Sequence, residues 1–114
     1  MTQILMILAA LSGALAVGAG AFGAHGASGA AAEWLKTGGL YQLIHAVAAL
    51  AVLRLDAKGP AVLFLSGGAL FAASLYLMAL GLPRSILGPI TPIGGMLLII
   101  GWLWLAWVAF RTPA

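Results

Sequence analysis

The chain contains no cysteine, so disulfides, thiolate nucleophiles, CxxC redox chemistry and iron–sulfur ligation have no residue to work with. Formal charge is nearly as scarce. Glu33, Lys36, Arg54, Asp56, Lys58, Arg84 and Arg111 are the whole complement, 6% of 114 residues against 64% that are hydrophobic, a balance far outside that of water-soluble domains. With Glu33 and Asp56 the only carboxylate side chains, a hydrolytic site in which a carboxylate orients a histidine beside a serine has little to draw on. Nucleic acid is set aside too. Five dispersed Lys/Arg give a sequence pI near 10.0 but no patch or stripe able to follow a phosphate backbone.

What remains is apolar, with a mean hydropathy of +1.17. The few charges cut it into stretches close to the ~20 residues an α-helix needs to cross a hydrocarbon core of ~30 Å. The spacing predicts an all-α integral membrane bundle of four transmembrane helices, a single membrane domain over 1–114 with spans at about 4–24, 38–54, 61–82 and 91–110. The Gly/Ala-rich connection from His25 to Gly39 carries Glu33, Trp34, Leu35 and Lys36, which suit a short helix lying in the interface between helices 1 and 2. Ile4 to Leu11 with Ala14-Leu15-Ala16 resembles a signal peptide. No Lys or Arg precedes it, and the run continues uncharged to Ala24, so it reads as a retained span.

Arg54, Asp56, Lys58, Gly59 and Pro60 mark a charged turn, and Gly81 with Pro83 ends the third span. Thr91 is placed to cap the fourth helix, with Pro92 as its first residue. Trp102, Trp104 and Trp107 lead to Arg111 as an aromatic and basic anchor. An even number of spans puts both termini on one side. That side holds Arg54, Lys58 and Arg111 against Lys36 and Arg84, so the positive-inside rule places both termini in the cytoplasm.

Gly18-Ala19-Gly20-Ala21-Phe22-Gly23 spells the dinucleotide fingerprint but lacks the βαβ context that gives it meaning. It reads instead as packing. Gly13, Gly20 and Gly23, with Ala9 and Ala16, recur every three or four residues and leave one helix face without bulk, which allows the close backbone approach that holds helices together in lipid. Gly94 and Gly95 are expected to do the same on the fourth span.

The four-span topology gathers His25, Tyr41, Gln42, His45, Ser74, Tyr76 and Thr91 toward the leaflet opposite the termini. Tyr41, Gln42 and His45 share one helical stripe, and intramembrane polar groups of this kind either hold helices together or mark a binding site. His25 and His45 could instead ligate a haem iron, or Zn²⁺ with Glu33, but two histidines twenty residues apart make a thin donor set. No cofactor is therefore expected.

Five separated segments carry a family resemblance: Gly20-Ala21-Phe22-Gly23-Ala24-His25; Thr37-Gly38 with Tyr41-Gln42 and His45; Ser74-Leu75-Tyr76; Gly88-Pro89-Ile90-Thr91-Pro92-Ile93-Gly94-Gly95; and Gly101-Trp102. In order and spacing the chain resembles the small membrane proteins grouped as domain of unknown function 423, related to eukaryotic transmembrane protein 256. The likeness implies a four-helix protein of the bacterial plasma membrane and brings no activity with it. Lys36 and Leu40 stand where relatives often carry an acidic and a basic residue, so a charge pair there does not transfer. The expected role is a non-catalytic accessory or assembly protein that packs against membrane lipid and other membrane helices, including its own copies. The alternative is a carrier for a small neutral solute, lipid or quinone-like ligand held by the polar cluster.

Overall fold

A computed structural model describes residues 1–113. Its elements are α1 (Thr2–His25), α2 (Gly29–Arg54), α3 (Lys58–Ala79), α4 (Arg84–Leu87) and α5 (Ile90–Arg111). Four helices are long and apolar enough to cross a membrane: α1, α2, α3 and the α4–α5 unit. The molecule is 49 Å long and 25 by 22 Å across, close to the ~40–45 Å of a bilayer with its headgroups.

α1 lies along α2, α2 along α3, and α3 along α5, with a smaller contact between α1 and α3. The two middle helices therefore bury far more of themselves than the two outer ones. The principal core joins Leu5 and Ala9 of α1, Ala49 and Val52 of α2, Phe64 of α3 and Leu98 of α5. Phe64 is fully enclosed. A second cluster of Leu75, Met78 and Leu87 closes the opposite end beneath Trp34.

The 25–39 stretch differs from expectation. Rather than a separate interfacial helix, it is the opening of α2, which runs unbroken for 26 residues. Gly29 supplies the positive φ of 61° that turns the chain after α1, a conformation glycine adopts at little cost. Ala30, Ala31 and Ala32 then propagate a helix that no proline interrupts before Pro60. At ~1.5 Å per residue α2 outruns the hydrocarbon core, so Glu33, Trp34 and Lys36 occupy its projecting end. There the Arg84 guanidinium sits 5.5 Å from the Trp34 ring centroid and ties α4 to the start of α2. The short helix of the fold is thus α4, between the third and fourth spans.

The fourth span also starts differently. Pro89 precedes the first residue of α5, Ile90, and no side chain caps the helix. Thr91 lies inside the first turn, its hydroxyl between the Leu87 carbonyl oxygen and Ser74 of α3. Pro92 is tolerated because first-turn N–H groups have no intrahelical partner.

Close approach sets where the glycines matter. A Cβ on Gly39 would lie 2.9 Å from the Ala16 carbonyl oxygen and 3.1 Å from the Gly20 nitrogen, so α1 and α2 touch backbone to backbone there. A Cβ on Gly94 would lie 2.7 Å from the Phe71 Cα, the same intimacy between α5 and α3. Gly23 is similarly closed in by Leu35 and Ala32, whereas Gly13, Gly20 and Gly95 have room for a methyl group. Ala9, Ala16 and Gly23 of α1 are buried, and the close contact at Gly39 belongs to the opposing helix.

Candidate functional site

The site forms where α2, α3 and α5 come together, around His45. The indole Nε1–H of Trp102 on α5 donates to His45 Nε2 at 2.9 Å. Because an indole N–H has no acceptor role, Nε2 holds the lone pair and the ring proton resides on Nδ1. That proton is donated to the Tyr41 carbonyl oxygen at 2.6 Å, one turn back on α2. Both nitrogens of the neutral ring are thereby used. Phe64 packs against the ring at 5.5 Å between centroids and Trp102 meets it edge-on at 5.8 Å. Tyr41 stacks at 6.4 Å. A buried imidazole in such apolar surroundings is tolerable because no polar atom on it is left over.

Two further pairs lie near this centre. The Tyr76 hydroxyl of α3 donates to Gln42 Oε1 of α2 at 2.7 Å. Ser74 Oγ donates to the Phe71 carbonyl oxygen at 2.7 Å and is hydrogen-bonded to Thr91 Oγ1, 2.5 Å away on α5, whose hydroxyl also lies 3.4 Å from the Leu87 carbonyl oxygen. Each pair crosses a helix interface, and none of the described residues has a buried side-chain polar atom without a partner. Interhelical hydrogen bonds in membrane bundles contribute ~0.6 kcal/mol each on average and up to ~1.7. The three pairs together are therefore a substantial but ordinary cement.

Of the residues singled out in the sequence, Gln42, His45, Ser74, Tyr76 and Thr91 enter this network, as three separate pairings. Tyr41 lends its carbonyl and its ring, while its hydroxyl makes no hydrogen bond among the described residues and the side chain stays 43% exposed. His25 is exposed at the last turn of α1 and joins none of the pairs. Bis-histidine ligation would have to break a hydrogen bond at His45. No group of three His, Cys, Asp or Glu side chains that could hold a metal occurs among the described residues.

Trp102 and Phe64 are the members that sequence reasoning missed. The sequence groups Trp102 with Trp104 and Trp107 as an interfacial anchor, yet only Trp107 carries the Arg111 guanidinium, 5.7 Å from its centroid. The available signal was distance. Trp102 precedes Arg111 by nine residues, ~13 Å along a helix at ~1.5 Å per residue, too deep for a headgroup position.

Beside the His45 ring, α2, α3 and α5 leave an open groove of about 260 Å³, lined by Tyr41, His45, Phe71, Leu98, Ile99 and Trp102. Its walls are almost wholly apolar.

This arrangement defines an all-helical, four-span membrane protein whose buried polar residues are spent on joining its own helices. Residues 19–95 match the family model described as protein of unknown function DUF423. The chain belongs to that family. It is 42% identical over 119 residues to a UPF0382 membrane protein of Haemophilus influenzae, covering 96% of this chain and 95% of the relative. It is 37% identical over 120 residues to one of Staphylococcus aureus, at 96% and 97% coverage. A yeast relative, from Schizosaccharomyces pombe, is 36% identical over 110 residues, at 83% and 92% coverage. No solved structure matches the chain.

Proposed function

We propose that the protein is a non-catalytic membrane component that packs against a further transmembrane helix, from a second copy or from another protein, through the outward face of α1. The observation that carries this reading is that Ala10, Ala14 and Gly18 recur every four residues on that face and remain exposed, with open space beside Gly18. The inward small residues, Ala9, Ala16 and Gly23, are already buried. In lipid, association between helices depends on close van der Waals approach, which such a stripe permits. The internal pairing of the polar residues favours a structural role over a chemical one. The setting we assign is the bacterial plasma membrane with both termini cytoplasmic, supported by Arg54, Lys58 and Arg111 at the terminal end.

The absence of cysteine makes the test clean. Ala14→Cys in native membranes, treated with a bifunctional maleimide, is expected to give a discrete higher-mass adduct, while Leu103→Cys on the exposed face of α5 gives none. Monomer alone in both samples, with no other protein co-purifying in mild detergent, would discard the reading.

A second reading has one observation of its own, the groove beside His45, where Tyr41 has an uncommitted hydroxyl. As a carrier of a small apolar or quinone-like molecule, the protein would retain that molecule through mild-detergent purification and lose it on Tyr41→Phe. Solvent extraction of both proteins followed by mass spectrometry decides the matter; equal retention rejects the carrier reading.

A further inference from the structure

The end of the bundle opposite Trp34 combines positive charge that is in no ion pair among the described residues with grooves along the last turns of α5. Arg54 ends α2, Lys58 begins α3 and Arg111 ends α5, and the only acidic side chain in their vicinity is Asp56, in the α2–α3 turn. The single ion pair among the described residues, Lys36 to Glu33 at 3.1 Å, belongs to the other end. Among the side chains of the described residues at this end, three cations against one carboxylate leave a surplus of two positive charges (3 − 1).

Two grooves converge on the last turn of α5. One, of about 370 Å³, runs between Leu55 and the Leu105, Val108 and Ala109 side of the helix. The other, of about 360 Å³, follows Trp104, Trp107 and Arg111, and both reach Val108, Thr112 and Pro113. Leu55 follows Arg54 directly. The Trp104 ring lies against Gly59, the neighbour of Lys58. The basic side chains therefore originate on the rims of the two grooves. Trp107 supports the Arg111 guanidinium through its π face, a contact that uses none of the guanidinium's N–H donors and leaves them available to an anion.

We propose that this end is a binding site for an anionic glycerophospholipid, whose acyl chains lie in the grooves along α5 and whose phosphate is held by Arg111 together with Arg54 and Lys58. A zwitterionic lipid brings its own cation to the phosphate and gains little from the surplus charge. An anionic lipid gains all of it, and basic pockets between transmembrane helices are suited to such headgroups.

The test uses the full-length protein released from vesicles of equal phosphatidylglycerol and phosphatidylcholine and read by native mass spectrometry. Bound phosphatidylglycerol is expected to exceed phosphatidylcholine by about five-fold per engaged basic side chain. Arg111→Gln should lower the excess about five-fold, and adding Arg54→Gln and Lys58→Gln should abolish it. Lys36→Gln, at the opposite end, should leave it unchanged. Ala109→Trp fills a groove without altering charge and should expel the lipid from an otherwise intact bundle. Equal retention of the two lipids by the wild type overturns the proposal, as does an equal loss with Lys36→Gln. Full retention by Ala109→Trp, or displacement by millimolar glycerol phosphate, overturns the acyl part of the site.

Discussion

Gly94→Val is expected to destabilise the bundle by ~3 kcal/mol or more, the largest effect of any single substitution at a helix contact. The obstacle is backbone. The new side chain would run into the Phe71 nitrogen and Cα, which cannot swing aside as a side-chain terminus could. Relief requires α5 to move away from α3, and that movement stretches both hydrogen bonds that α5 makes to its neighbours, Trp102 to His45 and Thr91 to Ser74. Overpacking alone costs ~1–3 kcal/mol, and each stretched bond adds up to ~1.7. Gly95→Ala is the control. Its Cβ would stand 3.9 Å from Phe71 Cδ2, ordinary contact, and alanine is favoured over glycine in a helix by ~1 kcal/mol. Unfolding titrations with sodium dodecyl sulfate in mixed micelles should separate the two variants widely; similar midpoints would refute the close approach.

His45→Ala is expected to cost ~2–4 kcal/mol, because it removes a ring packed among Phe64, Trp102 and Tyr41 and leaves the indole N–H without an acceptor. Trp102→Phe should cost less, ~1–2 kcal/mol, since most of the aromatic packing survives while the donor is lost. The informative quantity is the coupling in the double mutant. A direct hydrogen bond predicts a coupling of ~0.6–1.7 kcal/mol and a displaced Trp102 indole ¹H–¹⁵N resonance in the His45 variant. Strict additivity of the two losses, with an unmoved indole resonance, would remove Trp102 from the site.

These contacts show why architecture was more legible than arrangement. Four uncharged runs near membrane-crossing length admit little besides four helices, and the polar positions on α2 could be read directly as Gln42 and His45. Which partners they meet depends on the rotation of each helix about its axis. That rotation is set by contacts such as Gly39 against Ala16 and Gly94 against Phe71, which have no local signature in either segment alone. Trp102 was misplaced for the same reason: an aromatic near a basic terminus suits an interface by rule, and only the depth and facing of α5 reveal its partner. The extension of α2 back to Gly29 went unread because Glu33, Lys36 and several glycines made a helical stretch look like a boundary.

The order of the helices gives the His45–Trp102 bond a meaning for biogenesis. Fifty-seven residues separate donor from acceptor, so at ~5–20 residues per second the ribosome finishes Trp102 roughly 3–11 seconds after His45. During that interval His45 resides in a nascent chain whose indole partner does not yet exist, whereas Tyr76, which pairs with Gln42 between α2 and α3, precedes Trp102 in the chain. The last helix made is the one that completes the polar interior, and a chain interrupted before α5 exposes the imidazole Nε2 to whatever donor the insertion machinery or the lipid supplies.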